Sequence, residues 1–275
     1  MDRLGLIAGS GRLPLDIVDH CRENGIELFC VLLKHQARVD DYGTLDLLEL
    51  EIGQVGKIID FFRKNRVTRL VLAGGIEKPS FMSPKMDAKG IALVGNILKN
   101  KIIGDNSMLK TAIGFLEKNG FQVLEVDSLV KNLKLEEGPN NGIKCSAEQL
   151  SDIELGCDIL KRLSEFDLGQ AVAVQRRSIV AIECYEGTAG LIDRVGRLRL
   201  PEEKGPILIK IGKLGQTRKA DLPSLGPDTM EQLHSAGFAG AAVDCNNCLV
   251  ISRKSTVEIA TKHNLFLYGL NVYTV

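Results

Sequence analysis

The sequence predicts an α/β protein of two domains, an N-terminal Rossmann-like parallel sheet followed by a C-terminal mixed α/β domain. Three observations predict it. In the first half, apolar runs of strand length alternate with helical segments, the pattern of parallel strands joined by crossovers. The 275 residues are enough for two domains at about 150 residues each. Near the middle, Leu135-Glu136-Glu137-Gly138-Pro139-Asn140-Asn141-Gly142 is polar and rich in turn formers, which puts the domains at 1–137 and 143–275.

The elements follow in order. Leu4–Ala8 reads as a strand ended by Gly9-Ser10-Gly11, after which Pro14 opens a helix. Proline suits a first helical turn because its missing N–H would be unpaired there. Leu15, Val18 and Cys21 keep helical spacing, and Gly25 closes the segment. Leu28–Leu33 and Leu45–Leu50 read as strands, Val55–Phe62 as a helix, and Thr68–Ala73 as a strand ending in Gly74-Gly75. Helices over Ala88–Asn100 and Ser107–Asn119 precede a strand at Phe121–Val126. In the second half Ser146 caps a helix running to Leu163. Ala171–Val174 and Ile179–Cys184 flank a hairpin turn, followed by helix Thr188–Arg197, strand Ile207–Ile211 and helix Thr229–Ala236. Ala241–Val243 and Leu249–Ile251 read as strands, Val257–His263 as a helix and Leu265–Leu270 as the last strand.

Composition excludes several classes. Lys and Arg number 35, as do Asp and Glu, so the formal charge is zero. A general nucleic-acid binder carries a basic surplus, so no nucleic-acid partner is expected. Hydrophobic residues at 44% and charged residues at 25% exclude wholesale disorder. No run approaches the ~18 apolar residues of a membrane span, and the N-terminus has no signal-peptide core. The expectation is a cytoplasmic protein, at most peripheral to a membrane. The seven cysteines are odd in number and scattered, which suits reduced thiols.

Gly9, Ser10 and Gly11 stand where a strand turns into a helix, a place that can hold an anion; the plain reading is a tight turn. Pro14 occupies the position of the third glycine of a dinucleotide fingerprint, which argues against NAD. Gly74 and Gly75, with Lys78 beyond, end another strand at the edge where open α/β sheets bind ligands. Cys245-Asn246-Asn247-Cys248 has C-x-x-C spacing but reads as a hairpin turn between two short strands, with no second pair for zinc. The four histidines form no ligand spacing. From Arg194 to Lys219 there are eight bases against Glu202 and Glu203, either a solvated face or an anion-binding wall. Asp221 follows this segment, held extended before Pro223 in the sequence D-L-P. A lone carboxylate beside bases suits a Mg²⁺ that completes its shell with water and phosphate. Glu186, at a strand-to-helix turn, is either a partner carboxylate or a helix start.

Taken together, Gly5–Gly11 with Leu13-Pro14, Ala73-Gly74-Gly75 with Lys78-Pro79, Gly104-Asp105-Asn106, Glu186-Gly187-Thr188, and Gln216-Thr217-Arg218 with Asp221-Leu222-Pro223 resemble the LpxI-type UDP-2,3-diacylglucosamine pyrophosphatases of lipid A biosynthesis. The resemblance runs from Gly5 to about Gly269. It implies a Mg²⁺-dependent hydrolase that releases UMP and 2,3-diacylglucosamine 1-phosphate from a lipid-linked UDP-sugar held between two domains. It places the essential aspartate on Asp221, as metal ligand or water activator, with Gln216, Thr217 and Arg218 as diphosphate contacts. Gly9, Ser10, Gly11, Gly74, Gly75, Asp105, Glu186, Gly187 and Thr188 would line the substrate site. The resemblance leaves peripheral contact with the inner membrane and a homodimer open. The alternative is a non-catalytic nucleotide-sugar or phospholipid binder on the same scaffold, which would have no need of a carboxylate facing a diphosphate.

Overall fold

The computed structural model describes residues 3–43, 45–76, 85–99, 105–130, 132–166, 168–198, 205–213, 216–220 and 222–272. The chain forms two units. The first comprises Met1–Lys131 together with Thr217–Asp221, and the second Asn132–Gln216 and Leu222–Val275. Among the described residues no helix is long and apolar enough to cross a membrane.

The first unit is built on strands β1 (Arg3–Ala8), β2 (Glu27–Leu33), β3 (Asp46–Leu50), β4 (Arg69–Ala73) and β5 (Gln122–Val123). They pair in the order β3-β2-β1-β4-β5, all parallel. The apolar residues of β1 and β2 are buried without alternation, as expected of central strands covered on both faces. Gly5 is needed here for packing, because a Cβ would lie 2.7 Å from the Phe62 ring. The helices are α1 (Leu13–Glu23), α2 (Val55–Lys64), α3 (Ala88–Lys99), α4 (Asp105–Lys118) and the short α5 (Val126–Leu129). The chain winds outward from β1 through β2 to β3, then returns to the other side of β1 with β4. The point of reversal therefore lies between the carboxyl ends of β1 and β4, where doubly wound sheets open a ligand crevice.

The strand expected over Phe121–Val126 is shorter than the sequence suggested. Its ladder ends with Leu124 N–H donating to Leu70 O, and the chain then turns into α5 as Ser128 Oγ and N–H both donate to Glu125 O.

In the second unit β6 (Gly138–Pro139), β7 (Ala171–Gln175), β8 (Ser178–Ile182), β9 (Ile207–Lys210), β11 (Gly240–Asp244) and β13 (Phe266–Leu270) form a mixed sheet, ordered β6-β13-β11-β9-β7-β8. A small parallel pair joins β10 (Ser224–Leu225) to β12 (Leu249–Val250). Alternation along the strands feeds two cores. Val172, Val174, Ile207 and Ile209 pack on the face of α6 (Ala147–Ser164). Ala171, Ala173, Leu208 and Val243 pack on the other, against α7 (Gly187–Gly196), α8 (Pro227–Ser235) and α9 (Arg253–Lys262). Ser146 and Gln149 close a capping box at the start of α6, as the sequence indicated. The polar stretch at 135–142 is tied into this unit: Gly138 and Pro139 pair with β13, and Asn141 bonds Leu265 O and Leu267 N–H.

The Cys245–Cys248 turn is not a hairpin. β11 pairs with β9 and β13, whereas β12 pairs with β10. The buried carboxylate of Asp244 organises the turn, Oδ1 accepting from the N–H of Asn246 and Asn247 and Oδ2 from Asn247 Nδ2. Such a side-chain-closed turn lets the chain leave one sheet for the other.

Candidate active site

At the reversal point of the first unit the two glycine turns are bonded to each other. Ser10 N–H donates to Gly75 O at 2.8 Å and Gly75 N–H to Ser10 O at 2.9 Å, while Ser10 Oγ also donates to Gly75 O. Glycine is required by this closeness: a Cβ on Gly9 would lie 2.3 Å from Gly75 O, and Gly74 has φ +92° with Ser10 O in the way of a side chain. The N–H groups of Gly9, Ser10 and Gly75 are thus engaged by backbone carbonyls. The two turns form a rim in which these three N–H groups are not offered to an anion.

Behind that rim lies an apolar cavity of about 480 Å³, within the usual range of ligand sites. Gly74 and Gly75 stand in its wall with Leu93 and Ile97 of α3, Phe115 of α4, and Ala220. Ala220 is the residue before Asp221, so the loop carrying the D-L-P motif packs on this unit although it lies far along the chain. Two further residues fix it there. Arg218 reaches Asp127 at 2.5 Å and Glu125 at 3.3 Å, and Lys219 reaches Glu117 at 2.5 Å. Of the eight bases left open as a solvated face or an anion wall, Arg194 and Arg197 pair with Glu186 and Asp193, and Arg199 and Lys204 lie outside the described residues.

In the second unit a chain of hydrogen bonds starts at Gln216 and ends at Ser224. Gln216 Oε1 accepts from Lys213 N–H, and its Nε2 donates to Gln170 Oε1 at 3.3 Å. Gln170 N–H donates to Glu183 Oε2 at 2.9 Å. Thr188 Oγ1 donates to Glu183 Oε1, and Lys210 Nζ donates both to Thr188 Oγ1 and to Ser224 O, each at 2.8 Å. Thr188 and Gln216 belong to the residues named from the sequence. Gln170 and Glu183 were not named and Lys210 was counted only among the eight bases of 194–219; the missed signal is a charged residue inside an otherwise apolar strand, as in Ile207-Leu208-Ile209-Lys210.

Other residues fall out differently. Glu186 stands at the N-cap of α7 with its carboxylate 2.6 Å from Arg194; its own backbone and Arg194 hold its pKa below the ordinary value. Gly187 follows with φ +72°. Asp105 heads α4. Asp221, Lys78, Pro79 and Gly104 lie outside the described residues. Burial pushes the Cys248 thiol up to about 12, so it stays protonated and unreactive near neutral pH. His234 and His263, remote in sequence, stack at 3.9 Å, and His263 pairs with Glu231.

Among the described residues no three His, Cys, Asp or Glu side chains gather to hold a metal. A Mg²⁺ brought in on a diphosphate does not need such a cluster, because it takes one or two protein carboxylates and fills its shell with water and phosphate oxygens.

The fold and this rim define a two-unit α/β protein with a Rossmann-ordered first sheet. Residues 3–133 match the family described as the LpxI N-terminal domain, and residues 136–268 the LpxI C-terminal domain. The chain belongs to the LpxI family. It is 28% identical, over 98% of both chains, to the Caulobacter vibrioides protein named UDP-2,3-diacylglucosamine pyrophosphatase LpxI. Among solved structures, isoflavone reductase aligns with 98% of this chain and 78% of its own at 12% identity and a TM-score of 0.26, too low to carry anything across.

Proposed function

We propose that this chain hydrolyses the pyrophosphate bond of UDP-2,3-diacylglucosamine, giving UMP and 2,3-diacylglucosamine 1-phosphate in lipid A biosynthesis. The observation that carries the reading is the shared wall of the apolar cavity: Ala220, next to Asp221, lines the same space as the glycine rim of Gly74 and Gly75. A substrate with acyl chains on one side of a diphosphate needs an apolar pocket next to its reacting group. Water adds to one phosphorus, the bridging P–O bond breaks, and the bridging oxygen leaves on the other phosphate. Mg²⁺, held by Asp221 with water and phosphate oxygens, would supply charge neutralisation and polarisation of a phosphoryl oxygen. Asp221 is the carboxylate for that ion or for the attacking water, with Gln216, Thr217 and Arg218 next to it in sequence. Ile91 and Leu98 of α3, both more than half exposed and about two helical turns apart on one face, support peripheral contact with a membrane holding the lipid.

Purified protein incubated with UDP-2,3-diacylglucosamine and Mg²⁺ is expected to release UMP, and EDTA to stop it. Removing a carboxylate that acts on the transition state costs roughly a thousandfold in rate, so Asp221→Ala should reduce UMP release by about that factor. An Asp221→Ala protein retaining more than about a tenth of the rate would remove Asp221 from the chemistry.

A further inference from the structure

We infer that Lys210, Thr188 and Glu183 are positioning residues that hold the segment bearing Asp221 from both of its flanks; this rests on the function proposed above. Their bonds reach the segment at Gln216, five residues before Asp221, and at Ser224, three residues after it. Among the described residues beyond Asp221, Pro223 O accepts from Leu249 N–H and Leu225 O from Ile251 N–H, with Lys210 on the carbonyl between.

The chemistry of the link favours a fixed geometry. Glu183 and Lys210 are each only 6% exposed, and burying two charges is unfavourable unless their hydrogen-bonding groups are satisfied. They do not meet directly. The Thr188 hydroxyl lies between them, giving its proton to Glu183 and accepting one from Lys210. That is the donor and acceptor capacity of a hydroxyl used in one direction. Glu183 has its second oxygen on the Gln170 N–H, and the Gln170 side chain continues to Gln216. The links made by Lys210 and Glu183 each have a charge at one end, while the last joins the Gln170 and Gln216 amides, and a partly satisfied version would be worse than none. Its two ends are Gln216 and Ser224, both in the second unit and on either side of the D-L-P segment, so what it holds is those two flanks.

The test separates placement from catalysis. Hydrogen–deuterium exchange of the peptide spanning 213–226 is measured in wild type, Thr188→Val, Thr188→Ser and Lys210→Met, with strands β1 to β4 as internal reference. Exchange in 213–226 should rise in Thr188→Val and Lys210→Met while the reference is unchanged, and Thr188→Ser should recover most of the protection. Steady-state UMP release should show kcat lower by about ten- to a hundredfold in Thr188→Val, because small displacements of a reacting group cost that much, with KM within about threefold. Exchange in 213–226 equal to wild type in Thr188→Val would overturn the proposal, as would a rise in KM with kcat unchanged. If wild type releases no UMP, the proposed reaction fails, and the exchange data still decide whether these residues hold the segment.

Discussion

Asp127 is a carboxylate with only 6% of its side chain exposed, and Arg218 reaches it at 2.5 Å from 91 residues away while also touching Glu125. Removing one member of a buried pair leaves an uncompensated charge, at about 3–5 kcal/mol when both are fully buried. Arg218 is one-third exposed, so water screens part of that, and Arg218→Ala should cost about 2–3 kcal/mol. Urea unfolding followed by circular dichroism checks it; a loss below about 0.5 kcal/mol would mean the pair is held by solvent. Because Arg218 also anchors the loop before Asp221, the variant should lose UMP release more than its stability alone explains. At this scale the sequence identified Arg218 as a base beside the D-L-P motif. It could not supply Asp127, since nothing in local spacing links residues so far apart. Glu186 shows the converse: a strand-to-helix acid was legible, and only the structure shows that its partner is Arg194 in the last turn of α7.

Asp87 couples two elements. Its Oδ2 accepts the N–H groups of Gly56 and Lys57 in the first turn of α2, and its Oδ1 accepts the N–H of Gly90 in the first turn of α3. Both helix starts present unpaired donors and partial positive charge, which one carboxylate satisfies together. A capping residue replaced by alanine typically costs about 1 kcal/mol, so Asp87→Ala should cost about 2 kcal/mol for two helices. Asp87→Asn keeps one acceptor oxygen and should lose about half of that. Equal denaturation midpoints for the alanine variant and wild type would show that the helices are capped by other groups. The helices were legible from periodicity, and the Ser146 box from its spacing. The two-residue strand β10 was not, because so short a strand has no period, and β12, read as Leu249–Ile251, was assigned to a hairpin it does not form. Their pairing is decided by the turn that Asp244 closes and by which sheet lies at hand.

At the scale of the whole molecule, the first unit is not contiguous in the chain. Thr217–Asp221 belongs with Met1–Lys131 by its contacts, through Ala220 in the apolar core and through Arg218 and Lys219 on Asp127, Glu125 and Glu117. Composition points to a break near Gly138–Gly142 and says nothing of a later segment returning, since patterning reports only which residues are apolar and not which core they enter. A fragment ending at residue 131 therefore lacks part of its own packing. It should fold with a lower melting temperature than the same unit in the full chain, and it should bind a hydrophobic dye at the uncovered cavity. Adding a peptide of residues 213–225 should raise its melting temperature, because a ligand that binds only the folded form stabilises it by mass action. A peptide with Arg218 and Lys219 both changed to Ala should do so much less. If residues 1–131 melt as the intact chain does and the peptide changes nothing, the return of Thr217–Asp221 contributes no stability. If residues 143–275 alone release UMP at full rate, the cavity wall shared by Ala220 and the glycine rim plays no part in the reaction.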